Sequence, residues 1–114
     1  LPPAIPPPSQ TMEIPMQTLE LVTFRLAPGT ERAAFLAAAE ATADLIRRQP
    51  GFQSRMLTEG PDGRWSDIVT WASPDAATTA AKVVMADPAF APFCALIDMA
   101  SASMSHSTLV WRMG

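Results

Sequence analysis

Two strand-like runs, Phe52 to Glu59 and Arg64 to Ala72, are separated only by Gly60-Pro61-Asp62-Gly63. Proline presets the φ of a turn's second position, aspartate bonds nearby backbone, and glycine accepts the left-handed conformation that closes the reversal. The two runs must therefore pair as an antiparallel hairpin. With the turn centred on Pro61-Asp62, counting outward sets the register. Phe52 then faces Trp71, Ser54 faces Val69, Met56 faces Asp67 and Thr58 faces Trp65. That face is the heavier and more apolar, so it is expected to meet helices. Gln53, Arg55, Leu57, Ile68 and Thr70 take the opposite face.

Upstream, Thr18 to Ala27 alternates, with Val22, Phe24 and Leu26 on one side and Leu21, Thr23 and Arg25 on the other, which predicts a strand. Pro28-Gly29 breaks it, and Thr30 is positioned to cap the helix that follows. From Glu31 to Gln49, Phe35, Ala38, Ala39, Thr42, Leu45 and Ile46 fall on one stripe of helical period, and Pro50-Gly51 stops it. Downstream, Ser73-Pro74-Asp75 is a capped helix start. That helix is expected to run to about Ala86, with Ala77, Ala80, Ala81, Val84 and Met85 inward. Asp87-Pro88 opens a new turn, Pro92 keeps the segment through Phe90, Phe93, Leu96 and Ile97 from being one straight helix, and Ser103 to Arg112 reads as the last strand.

The order is β-α-β-β-α-β, a ferredoxin-like α+β arrangement. Right-handed crossovers place both helices on one face of a four-stranded antiparallel sheet. The other face is left with Leu21, Leu57 and Ile68. An apolar sheet face left in water is an association surface, and pairing it with the same face of a second copy covers both. A homodimer is expected on that ground.

Length and charge narrow the function. A chain of 114 residues holds one domain. The prolines crowd at Leu1-Pro2-Pro3-Ala4-Ile5-Pro6-Pro7-Pro8, so residues 1–17 are expected to form a flexible, solvated arm and residues 18–114 the domain. Met12 and Met16 are candidate starts. A net charge of −3, with basic residues scattered, argues against a nucleic-acid partner. Cys94 and His106 are each alone, which excludes an internal disulfide and a conventional Cys/His metal site. With no oxidising-compartment signal and no apolar run of the ~18 residues a membrane span needs, a cytoplasmic protein without a membrane partner is expected.

Residues 18–112 resemble the dimeric α/β-barrel superfamily, and within it the antibiotic biosynthesis monooxygenase-like group. The resemblance rests on strand-Pro28-Gly29-Thr30-helix, on Gln49-Pro50-Gly51-Phe52, on Asp67-Ile68-Val69-Thr70-Trp71-Ala72-Ser73 and on Asp87-Pro88-Ala89-Phe90. It implies a monooxygenase acting on a hydrophobic aromatic or quinol-type molecule without metal, flavin or other cofactor. Oxygenases of this group commonly place an Asn and a Trp four residues apart on the third strand. Here the pair is Asp67 and Trp71, and the chain contains no Asn at all. A second Asn often comes from the first strand, where this chain offers Val22 or Thr23. Haem-degrading relatives need a His on the helix after the Trp strand, and Thr78–Phe93 has none.

Cofactor-free oxygenation needs an electron-rich substrate anion, because triplet oxygen reacts slowly with closed-shell organics. The protein must take a proton, stabilise the anion and exclude water. Asp67, set by the counted register among Met56, Trp65, Val69 and Trp71, is the candidate base, its pKa expected to rise by desolvation. Trp71 offers a wall and an indole N–H donor. Phe52, Met56, Met85, Phe90, Phe93 and His106 are the candidate substrate-binding residues. Plainer readings stand beside these: Trp71 as core, Asp67 as a structural carboxylate paired with Arg25 or Arg55, Cys94 as a small buried hydrophobe, and the whole chain as a non-catalytic dimeric module.

Overall fold

The central hairpin forms with a loop one residue longer than the count from Pro61-Asp62 requires. Glu59 pairs with Trp65, so the reversal is centred on Asp62. Gly63 takes the left-handed conformation at φ 81°, the Gly60 N–H donates to the Arg64 carbonyl at 2.8 Å, and the Arg64 N–H donates to Asp62 Oδ1 at 3.0 Å. That last bond holds the exposed Asp62 carboxyl below its ordinary value. In a structure of period two, one residue of slip turns a strand over. From Ser54 to Glu59 the strand is therefore inverted relative to expectation: Arg55 and Leu57 face the helices, and Met56 points the other way, 57% exposed. A bulge at Gln53 restores the expected Phe52–Trp71 pair.

The computed structural model describes residues 16–114. The proline-rich arm expected at residues 1–17 lies outside the described residues except for Met16 and Gln17. The elements are β1 (Thr18–Leu26), α1 (Arg32–Ala41), α2 (Ala43–Arg47), β2 (Phe52–Glu59), β3 (Trp65–Trp71), α3 (Pro74–Ala86), a 3-10 turn at Pro88–Phe90, α4 (Ala91–Ala95) and β4 (Ile97–Thr108). The sheet is antiparallel in the order β2-β3-β1-β4, with the helices on one face. This is the expected ferredoxin-like α+β fold.

Three local expectations are corrected. The first helix is split at Thr42, whose hydroxyl donates back to the Ala39 carbonyl at 2.6 Å, a competition with the helical ladder that bends helices. Thr30 does not cap it; Glu31 occupies the cap position without a side-chain bond. The last strand begins at Ile97 and ends at Thr108, not at Ser103 and Arg112. Its early start depends on a register shift in which the Arg25 N–H bonds the Ser101 hydroxyl at 2.8 Å in place of a ladder carbonyl.

Two apolar clusters hold the layers together. Leu45, Ile46, Val69, Trp71, Ala77, Ala80 and Val84 form one, and Phe24, Phe35, Trp65 and Phe93 the other. Leu57 packs against the second, so it leaves the outer sheet face, which carries Leu19, Leu21, Met56 and Ile68 instead. Ser73 caps α3 by accepting from the Ala76 N–H at 3.1 Å. Gly51, at φ 87°, lets the chain leave the helix against α3: a Cβ there would sit 2.6 Å from Ala76 Cβ. Gly51→Ala combines backbone strain with a clash and is expected to destabilise by about 2 kcal/mol or more, read as a lower urea midpoint at constant m-value.

Candidate functional site

Every second residue of β1 and β3 projects toward the helices, and the helices do not fill the space above them. A cavity of about 290 Å³ remains. Val22, Phe24, Val69, Ile46, Ala80 and Val84 form its apolar floor and wall, with Phe90, Phe93 and Ile97 at the far side. Met85, Met99 and Met104, each more than half exposed, line it where it meets solvent. Methionine is unbranched and polarizable, so this rim can adjust to ligands of different outline.

The polar groups of the cavity cluster on the sheet. Asp67 and Trp71 flank Val69 on β3, and Glu20 lies directly opposite Val69 on β1. Glu20 is therefore the diagonal neighbour of both. Trp71 is 3% exposed, and among the described residues its indole Nε1–H has no hydrogen-bond partner. It also packs edge-on to Phe52, with ring centroids 5.9 Å apart.

Asp67 is not a bare carboxylate in an apolar wall. Arg55 Nε donates to one of its oxygens at 3.0 Å and Arg55 Nη2 to the other at 2.8 Å, while Nη1 reaches the Thr42 hydroxyl at 2.9 Å. The guanidinium also lies 5.5 Å over the Phe93 ring. The loop's extra residue creates this fork, because it brings Arg55 to the face that the Pro61-Asp62 count denied it.

Glu20 has a different partner. Its Oε1 is 2.9 Å from His106 Nε2, on the adjacent position of β4. The Glu20 side chain is 12% exposed, whereas the imidazole side chain is 32% exposed. Cys94 also touches the cavity, and burial pushes its thiol above the ordinary value.

Of the candidate residues, Asp67, Trp71, Met85, Phe90 and Phe93 line the cavity together. Phe52, Met56 and His106 do not. Phe52 is packed behind Trp71, Met56 is on the outer sheet face, and His106 touches the cavity only through Glu20. Of the two first-strand positions, Val22 lines the cavity opposite Asp67 and Thr23 faces out. Glu20 is the residue missed. Its signal is its parity: it continues the inward series Val22, Phe24 by one step, where a carboxylate is out of place in a core strand. Among the described residues no group of His, Cys, Asp and Glu is arranged to hold a metal ion, and no helix is long and apolar enough to cross a membrane.

No family model and no curated protein matches the chain. Solved structures do. The chain is similar to SnoaB, a cofactor-independent oxygenase from Streptomyces nogalater, at 25% identity and a TM-score of 0.59 over 87% of this chain and 96% of that one. The chain carries the ferredoxin-like fold of the antibiotic biosynthesis monooxygenase-like group. Proposed antibiotic biosynthesis monooxygenases share it. One from Chloroflexus aurantiacus is 19% identical with a TM-score of 0.63 over 86% of this chain and 97% of that one. Another, from Caulobacter crescentus, is 15% identical with a TM-score of 0.65 over 90% and 98%. Within this monooxygenase-like fold, the cavity lies between sheet and helices, and its polar corner is Glu20, Asp67 and Trp71.

Proposed function

We propose that this protein is a cofactor-independent oxygenase whose cavity binds a flat aromatic or quinol-type molecule of about two fused rings. The observation that carries the reading is the orphaned indole N–H of Trp71 in the wall of an otherwise apolar cavity. A buried donor left without a partner costs about 1–3 kcal/mol, which a ligand carbonyl or phenol oxygen would recover. The size follows from volume: a dry cavity of about 150 Å³ accommodates benzene, and this one is about 290 Å³. The similarity to SnoaB, itself a cofactor-independent oxygenase, supports the reaction class.

For a methylene substrate the chemistry balances as R₂CH₂ + O₂ → R₂C=O + H₂O. Loss of a proton gives a carbanion, which passes one electron to oxygen; the two radicals join through a new C–O bond. The hydroperoxide then breaks its O–O bond and loses the second C–H proton with hydroxide as water. The protein's share is to bind and orient the ring, accept and return a proton, and keep bulk water away.

Trp71→Phe tests the donor while keeping the aromatic wall. Affinity for 2-naphthol is expected to fall about 5–10-fold, the worth of one hydrogen bond, with naphthalene binding unchanged, both followed by calorimetry. Equal losses for the two ligands would remove the indole N–H from recognition. Oxygen consumption on a bicyclic carbon acid such as 2-tetralone tests the reaction itself.

A second reading, a non-catalytic binding module, is favoured by the Arg55–Asp67 fork, which occupies the carboxylate aligned with the group's Asn position. Tight binding without oxygen consumption would select it. In both readings the protein works as a homodimer through the outer sheet face of Leu19, Leu21, Met56 and Ile68, which sedimentation equilibrium would report as twice the chain mass.

A further inference from the structure

We infer that Glu20 is the proton acceptor of the cavity and that His106 is its positioning residue. This rests on the cavity being the site where a ligand is ionised, and it names a pair that neither strand spacing nor resemblance to the monooxygenase-like group points to.

Two carboxylates border the cavity, and their partners differ in kind. Asp67 has a permanent cation, with both oxygens taken by the Arg55 fork. Such a pair satisfies a buried carboxylate and leaves it little room to exchange a proton. Glu20 has instead a single bond to an imidazole, at one oxygen only. Its Oε2 accepts from no described residue. A carboxylate this buried, held at one oxygen and open at the other, is an arrangement suited to receiving a proton from a molecule in the cavity.

Position agrees with this. Glu20 lies across the strand pair from Val69, diagonal to Trp71. A ligand oxygen held by the Trp71 indole therefore brings its acidic C–H or O–H toward the same corner. The other charged or titratable groups at this corner are Asp67 from β3, Arg55 behind it from β2, and Cys94 from α4; the α3 residues lining the cavity are Ala80, Ala81, Val84 and Met85. His106, on the edge strand and a third exposed, reaches solvent while its Nε2–H holds Glu20 Oε1.

The step is simple to balance. The Glu20 Oε2 lone pair forms an O–H bond as the substrate C–H bond breaks, leaving the electron pair on carbon. Glu20 returns that proton to the peroxide anion formed when oxygen adds, giving the hydroperoxide. The hydroxide released as the O–O bond breaks leaves as water with the second C–H proton. No net proton leaves the site, so His106 need only orient the carboxylate through its bond to Oε1.

The test separates proton abstraction from oxygen chemistry. 2-Tetralone is incubated in D₂O without oxygen, and deuterium entry at its benzylic C1 is followed by NMR, with binding measured in parallel by saturation transfer. The native protein is expected to accelerate exchange, and Glu20→Gln to lose about 100-fold or more of that acceleration with affinity within about threefold. His106→Ala is expected to lose about 10-fold, and His106→Gln, which can still donate a side-chain N–H, to recover most of it. A purely structural His106 would instead lower thermal stability in the Ala variant without changing exchange per folded molecule, and would overturn its role. Native-like exchange in Glu20→Gln overturns the assignment of the base, as does bound 2-tetralone that exchanges no faster than in buffer. Glu20-dependent exchange without aerobic oxygen consumption would uphold the pair and sink the oxygenase reading. Failure of 2-tetralone to bind would overturn both.

Discussion

Arg55→Ala is expected to remove about 3–5 kcal/mol of stability, because it leaves the Asp67 carboxylate buried without its counter-charge. The side chains of the two residues are 14% and 11% exposed, so solvent screens little of the loss. Three interactions go at once: the two-pronged bond to Asp67, the bond to the Thr42 hydroxyl at the break between α1 and α2, and the cation over Phe93. At about 4–8 °C per kcal/mol for a domain of this size, the melting temperature should fall by more than about 12 °C. The double variant Arg55→Met/Asp67→Leu separates the causes. Replacing both charges with apolar groups of similar volume is often neutral or better, so the double variant should recover most of the loss. A single variant costing under about 1 kcal/mol would mean that water reaches Asp67 and that the pair is no buried bridge.

That pair also shows how far the sequence could be read. The alternation of Thr18 to Leu26, the capped start at Ser73 and the stop at Pro50-Gly51 are local statements of chemistry, and each carried through to the fold. So did the inward series Trp65, Asp67, Val69, Trp71 on β3, which has helices above it whichever way its neighbour is registered. The register of β2 was not local. It depends on whether the reversal holds four residues or five, and Gly60-Pro61-Asp62-Gly63 followed by Arg64 admits both. The Arg64 N–H bond to Asp62 decides for five, and the bulge at Gln53 then hides the slip by restoring the Phe52–Trp71 pair. One residue of slip moved Arg55 into the protein and Met56 out of it.

The other site residues were illegible for different reasons. His106 has no turn near it to fix its face, and its place follows only from the β1–β4 ladder, itself offset by the Ser101 bulge. Glu20 sat in plain view, but a single inward carboxylate acquires meaning only once His106 is placed opposite it. Long-range pairing, not propensity, is what the single sequence leaves open.

Phe35→Ala should be the other costly substitution, and the one that most changes what the cavity accepts. Phe35 is fully buried. It stacks on Phe93 at 5.3 Å and meets Phe24 and Trp65 edge-on at 5.7 and 4.9 Å. Truncating a Phe in such a setting typically costs about 3–5 kcal/mol, set by how far the surroundings collapse. Here the surroundings that could collapse, Phe24 and Phe93, are at once its neighbours and walls of the cavity. If Phe93 turns into the vacated space, the volume it leaves is added to the cavity on its other side. The variant should then be weak without ligand and regain stability when three-ring aromatics are added, since a ligand that binds only the folded state stabilises it by mass action. The native protein should prefer two-ring ligands and gain little from the larger ones. Melting temperatures of both proteins against a matched series of two- and three-ring aromatics would show the change of preference. A loss of stability with the native preference retained would mean that Phe24 and Phe93 hold position and keep the vacated space closed off from the cavity, leaving Phe35 to hold up the cavity wall but not to set its size.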